Sequence, residues 1–135
     1  MLSHLKKTAD ELGLPFGERR MTFNSRKAQE LGKLAEARSL GQRYHDAVFR
    51  AYFALGRNIA RLDTLLEIAV EVGLAAEDAQ DALQNGRFHE AVDRDWARAL
   101  RMGVTAVPTF VHRGVHLVGA QPYPALVALV QNSLS

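Results

Sequence analysis

The chain has 135 residues, 47% apolar and 24% charged, with a formal net charge of +2. This length suits one domain with a real core, and the interleaving of acids and bases, with only Lys6-Lys7 and Glu18-Arg19-Arg20 as clusters, argues against the basic stripe of a nucleic-acid binder. There is no cysteine, which excludes disulfides, thiolate metal sites and every cysteine nucleophile.

Leu2 to Leu12 reads as a short helix that Gly13 stops, and Leu14-Pro15-Phe16-Gly17 is a breaker segment. The stretch Met1 to Asp10 lacks the apolar core of a signal peptide, and no apolar run reaches the ~20 residues of a membrane span. The expected location is therefore the cytoplasm, without membrane contact. Met21 to Phe23 is a candidate extended piece. Asn24 is placed as the N-cap of a helix to about Leu40, with Ala28, Leu31, Leu34 and Ala35 on one face and Gly41 as its stop.

From Gln42 to Leu55, the positions Tyr44, Val48, Ala51, Tyr52 and Leu55 form a helical stripe that Phe49 and Phe53 widen. A helix apolar on two sides belongs at the centre of a helical subdomain. Thr64-Leu65-Leu66-Glu67 has the capping-box spacing and predicts a helix ending at Gly73. A short helix from Ala76 to Gln84 stops at Asn85-Gly86. Phe88, Val92, Trp96 and Leu100 recur every four residues, which predicts a helix from Phe88 to Met102 with Trp96 in the core, Gly103 as its left-handed cap, and an ion pair between Glu90 and Arg94 on its surface.

After Gly103 the texture changes. Val104 to Val111 is β-branched and aromatic, Arg113-Gly114 is a turn, and Val115 to Val118 is a second strand, which together make a hairpin. In that register His112 faces Val115 and His116 faces Val111, so the two imidazoles do not converge and no metal site is expected. Pro122 opens a final helix whose core face is Leu126, Leu129 and Val130. A two-stranded hairpin is marginal in water by itself. The composition and the spacing of the motifs call for no cofactor.

The segment Gly103-Val104-Thr105-Ala106-Val107-Pro108-Thr109-Phe110-Val111, followed after a turn by Gly119-Ala120-Gln121-Pro122, resembles the C-terminal end of DsbA-family proteins, most of all their FrnE-like branch. Leu12 through Trp96 is similar to that family's helical insertion, and Leu14-Pro15-Phe16 and the helix start at Asn24 fit it too. The resemblance covers essentially the whole chain. It implies a mainly α fold with a small β-hairpin: a partial thioredoxin-like domain over 1–135, made of a helical subdomain (1–102) and a C-terminal β-β-α half (103–135).

The resemblance also implies the site. Pro108 matches the family's cis-proline, Ala106 stands where a glycine is common, and Val107 matches the residue whose main chain pairs with extended substrate, so Ala106, Val107, Pro108 and Thr109 form the expected substrate-binding loop. Read from the residues alone, Pro108 is a strand-start proline and Val107 a buried β-residue with no ligand; the pairing with substrate that the resemblance implies would be strand addition. The family's opening strand and Cys-x-x-Cys helix have no counterpart here. Met1 is then an internal start, a cut made in a longer chain or a genuine truncation. The implied function is that of a thiol–disulfide oxidoreductase homologue with no redox cysteine and no catalysis alone. The alternative is a non-enzymatic module for peptide binding or assembly. The expected partners are a second copy or a separate N-terminal half, with extended peptide as ligand.

Overall fold

The computed structural model describes residues 2–18 and 22–132, with only the main chain at Leu2 and Asn132. Among these residues there are seven α-helices: α1 (Leu2–Glu11), α2 (Arg26–Ala37), α3 (Gly41–Phe49), α4 (Leu62–Val72), α5 (Ala76–Gln84), α6 (His89–Arg101) and α7 (Tyr123–Asn132). A π-helical turn, Arg50–Ala54, continues α3. Two strands, β1 (Thr109–His112) and β2 (Val115–Val118), form a two-stranded antiparallel sheet. The chain divides into two compact units, Met1–Asp93 and Arg94–Ser135, with the boundary inside α6. No helix among the described residues is long and apolar enough to cross a membrane.

The first unit is built on α2. Its expected face, Ala28, Leu31, Leu34 and Ala35, is buried against Tyr44 of α3, Leu65, Ile68 and Ala69 of α4, and Ala79 and Ala82 of α5. Burying each large aliphatic side chain contributes roughly 1.5–3 kcal/mol relative to leaving it exposed. Gly32 lies where α2 meets Tyr44; a Cβ there would sit 3.3 Å from the tyrosine ring. The helix α2 begins at Arg26 with Ser25, not Asn24, as its N-cap: the Ser25 carbonyl accepts the Gln29 N–H, while Asn24 Oδ1 accepts the Arg26 N–H at 2.8 Å in a turn one residue ahead of the cap.

The end of α2 differs from expectation. The stop is Ser39, at φ +61°. The Ser39 N–H donates to the Glu36 carbonyl and the Leu40 N–H to the Ala35 carbonyl, which is a Schellman motif with serine in the glycine position. Gly41 instead opens α3, where a Cβ would lie 3.1 Å from Glu36 Cγ. The capping box at Thr64 also does not form. The helix α4 starts earlier, at Leu62, and Asp63 Oδ1 accepts the Thr64 N–H at 2.9 Å while Thr64 itself is buried. Gly13, Gly73, Gly86 and Gly103 take the positive φ expected of helix stops.

The helix expected from Gln42 to Leu55 is α up to Phe49 and π from Arg50 to Ala54. Phe53 lies in the last turn, where carbonyls lack helical partners, and its carbonyl accepts the Gly17 N–H at 2.7 Å. The breaker segment before it thus lies main chain against main chain on the turn. A Cβ at Gly17 would fall 2.7 Å from the Ala54 oxygen, and one at Gly56, whose φ is +62°, would collide with the Glu18 carbonyl. Thr22 and Phe23 are irregular and not extended strand; Met21, Arg19 and Arg20 lie outside the described residues.

The first turns of α6 are tied to α2. Arg26 Nη2 lies 2.7 Å from Asp93 and donates to the His89 carbonyl at 2.7 Å, and the buried Glu30 has Arg26 and His89 at 3.5 and 3.7 Å. The pair expected along α6 does not form: among the described residues, Glu90 and Arg94 make no ion pair.

Candidate functional site

In the C-terminal unit α6 ends in a second Schellman motif. The Gly103 N–H donates to the Leu100 carbonyl and the Val104 N–H to the Ala99 carbonyl, with Gly103 at φ +78°. The hairpin pairs Thr109 with Val118, Phe110 with Leu117, Val111 with His116 and His112 with Val115. Its turn, Arg113-Gly114, has φ of +48° and +81°, the signs of a type I′ turn, whose twist suits two antiparallel strands. His116 and His112 therefore point to opposite faces of the sheet. His116 Nε2 donates to the Met102 carbonyl at 2.6 Å, which ties β2 to the last turn of α6. No group of three or more His, Cys, Asp or Glu side chains that could hold a metal occurs among the described residues.

Between α6 and β1 runs the loop from Val104 to Pro108. The strand expected to start at Val104 starts only at Thr109. The Val107–Pro108 peptide bond is cis. The loop is fastened at its far end: Thr109 Oγ1 donates to the Ala106 carbonyl at 2.6 Å, and the Gly119 N–H donates to the Pro108 carbonyl at 2.8 Å. Ala106 and Pro108 are exposed and Thr109 is half-buried. Val107 is 91% exposed, so it is not a buried β-residue. Among the described residues, its main-chain N–H and C=O make no hydrogen bond.

A shallow groove of about 360 Å³ adjoins the loop, lined by Trp96, Ala99, Leu100, Val104, Thr105, Ala106 and Val107. Trp96 is 50% and Leu100 67% exposed. This corrects the expectation that Trp96 anchors the core. The four-residue stripe of α6 is buried at Val92 but lies open at Trp96 and Leu100, in a unit where no described residue is fully buried. On the final helix, Leu126 and Leu129 are half-buried, but Val130 is exposed. The periodicity of α6 signalled these groove residues; it did not signal that they face solvent.

A model of the DSBA-like thioredoxin domain family matches residues 1–131. No curated protein matches. Among solved structures, a probable DsbA oxidoreductase from Streptomyces coelicolor is 27% identical, with a TM-score of 0.81 over 98% of this chain and 58% of its own. The cytosolic disulfide reductase DsbM from Pseudomonas aeruginosa, solved with GSH, is 27% identical with a TM-score of 0.61, over 96% of this chain and 68% of its own. A second structure of that reductase gives 26% identity and a TM-score of 0.61, over 97% and 69%. The chain thus spans less than two thirds of the Streptomyces protein.

Proposed function

The chain belongs to the DSBA-like thioredoxin domain family, and from that premise we propose that these 135 residues act as a peptide-binding homologue of the family's oxidoreductases, in its FrnE-like branch, without carrying out dithiol exchange alone. Exchange needs a thiolate to attack a disulfide sulfur, and the chain holds no thiol. The observation that supports binding is the Val107 loop: an open main chain beside an apolar groove, continuing into β1, whose outer edge has no strand partner among the described residues. An extended peptide adds to such an edge through main-chain hydrogen bonds and places apolar side chains in the groove. Ala106, Val107, Pro108 and Thr109 are the proposed contact loop. The cytosolic reductase among the similar structures supports a cytoplasmic setting.

Trp96 is the only tryptophan and lines the groove, so its fluorescence reports occupancy. A ten-residue apolar peptide without tryptophan is expected to give a saturable blue shift, and Leu100→Asp is expected to abolish it without unfolding the chain. An unshifted spectrum at millimolar peptide counts against the reading. Insulin reduction by the purified chain is expected to stay at the level of a heat-killed control.

That no described residue of the C-terminal unit is fully buried favours a second reading. Here two copies pair their β1 edges about a two-fold axis, since an open edge is a template for another chain. Light scattering at micromolar concentration tests it; a single species at the 14.9 kDa of one chain rules it out.

A further inference from the structure

The helical unit contains a second concave site that the peptide reading does not use. A pocket of about 330 Å³ opens between α2, α3 and the π-helical turn. Its floor is Ala28, Ile59 and Tyr44, all buried. Its walls are rings. Phe23 meets Tyr52 edge-on with centroids 6.4 Å apart, Tyr52 meets Phe53 edge-on at 4.7 Å, and Phe49 lies 6.1 Å from Phe53. Among the described residues, the lining contains no Lys, Arg, Asp or Glu; its polar side chains include Ser25, Gln29 and His45. Two further concave surfaces of the unit differ in this, since charged side chains line them.

We propose that this pocket binds a small neutral aromatic molecule of about two rings. Three observations carry the assignment. The volume lies in the range of ligand sites, ~300–1,000 Å³, and an apolar cavity of ~150 Å³ takes one benzene ring, which leaves room here for about two. Walls of edge-on and tilted rings suit a flat π-system, which prefers offset or edge contacts. The absence of charge among the described lining residues argues against a carboxylate or phosphate, because a desolvated anion needs a charged or multiply hydrogen-bonded partner.

The exposure of the walls agrees. Phe49 is 59% exposed at the mouth, and Phe53 is exposed as well. A bound ring system would remove both from water. The π-helical turn is part of the device: such turns concentrate at functional sites, and this one carries Tyr52 and Phe53. A strand-like peptide is the weaker occupant, since strand addition needs an open main-chain edge and the walls come from helices and rings.

The test uses the full chain and 2-naphthol, followed by calorimetry and by amide chemical shifts. Saturable one-to-one binding is expected, with shifts centred on Phe23, Val48, Phe49 and Phe53. Val48→Phe fills the pocket and is expected to weaken binding at least tenfold while the thermal midpoint moves by only a few degrees. Should that variant fail to fold, Phe49→Ser, at an exposed position, is expected to weaken binding about fivefold. No saturable binding to the folded chain overturns the proposal. So does binding that neither variant weakens, or shifts centred on residues 94–132. Self-association through Phe49 and Phe53 that 2-naphthol does not reverse would assign the pocket to a second copy instead.

Discussion

Tyr44 shows how one polar atom on an apolar stripe is accommodated. The side chain is 1% exposed, and its hydroxyl donates to the Ala28 carbonyl at 2.6 Å. Tyr44→Phe is expected to cost about 1 kcal/mol in urea unfolding, the net worth of a typical hydrogen bond. Burial raises the Tyr44 pKa well above its ordinary value. An unfolded tyrosine ionises near pH ~10, whereas the folded one holds its proton higher. The stabilisation is therefore complete below pH ~10 and is lost as the pH rises through the folded-state pKa. Absorbance at 295 nm should show Tyr44 ionising only as the chain unfolds, and Tyr44→Phe should lose less stability between pH 9 and 11 than the parent. Gly56 carries a different constraint, a positive φ and a carbonyl where a Cβ would sit. Gly56→Ala is expected to lower stability by about 1–3 kcal/mol, read as a shift of the urea midpoint.

Among the elements, the helix ends are the informative places. Ser39 occupies the left-handed position that closes α2, where a side chain costs roughly 1–2 kcal/mol and glycine adds back about 0.5–1 kcal/mol of chain entropy. Ser39→Gly should therefore raise stability by roughly 0.5 kcal/mol, a small increase in urea midpoint with an unchanged slope. Asp78, in the first turn of α5, joins three segments through Arg87 at 2.8 Å and Arg38 at 3.0 Å. Hydrogen bonding from Arg87, and then the charge and hydrogen bond of Arg38, hold its carboxyl below the usual range. A carboxyl so depressed stabilises the fold above the ordinary value of ~3.9, and that contribution disappears as pH falls through the folded-state pKa. Thermal midpoints of the parent and of Asp78→Asn should differ at pH ~7 and converge as the pH falls through the folded-state pKa of Asp78.

Across the whole chain the two units differ in how much they bury. The helical unit holds a continuous core from Ala28 to Leu83 and also buries Val92, whereas no described residue from Arg94 onward is fully buried. Local stability follows buried apolar packing. Amides of α2 and α4 are accordingly expected to exchange at the rate of global unfolding, and those of β1, β2 and α7 well before it, by hydrogen-exchange mass spectrometry. A ligand or second copy on β1 should slow the exchange of Thr109 to His112 selectively.

The sequence by itself determined the helix order, most stops, the hairpin register and the family. Each of these rests on short-range chemistry: a 3.6-residue stripe, a glycine at positive φ, a two-residue turn, or a motif contiguous in the chain. It also marked Ala106 to Thr109, through the same contiguous motif. Only the tertiary structure decided which apolar residues are covered. Trp96, Leu100 and Phe49 sit on stripes indistinguishable in spacing from those of Leu31 or Val92, yet they face water, because periodicity defines a face and not what packs on it. The π-helical turn and the Gly17–Gly56 approach were hidden for the same reason: they arise where segments about forty residues apart meet main chain to main chain. So did the pocket of rings, whose walls come from helices and an irregular segment that are separate in the sequence and adjoin only in the fold.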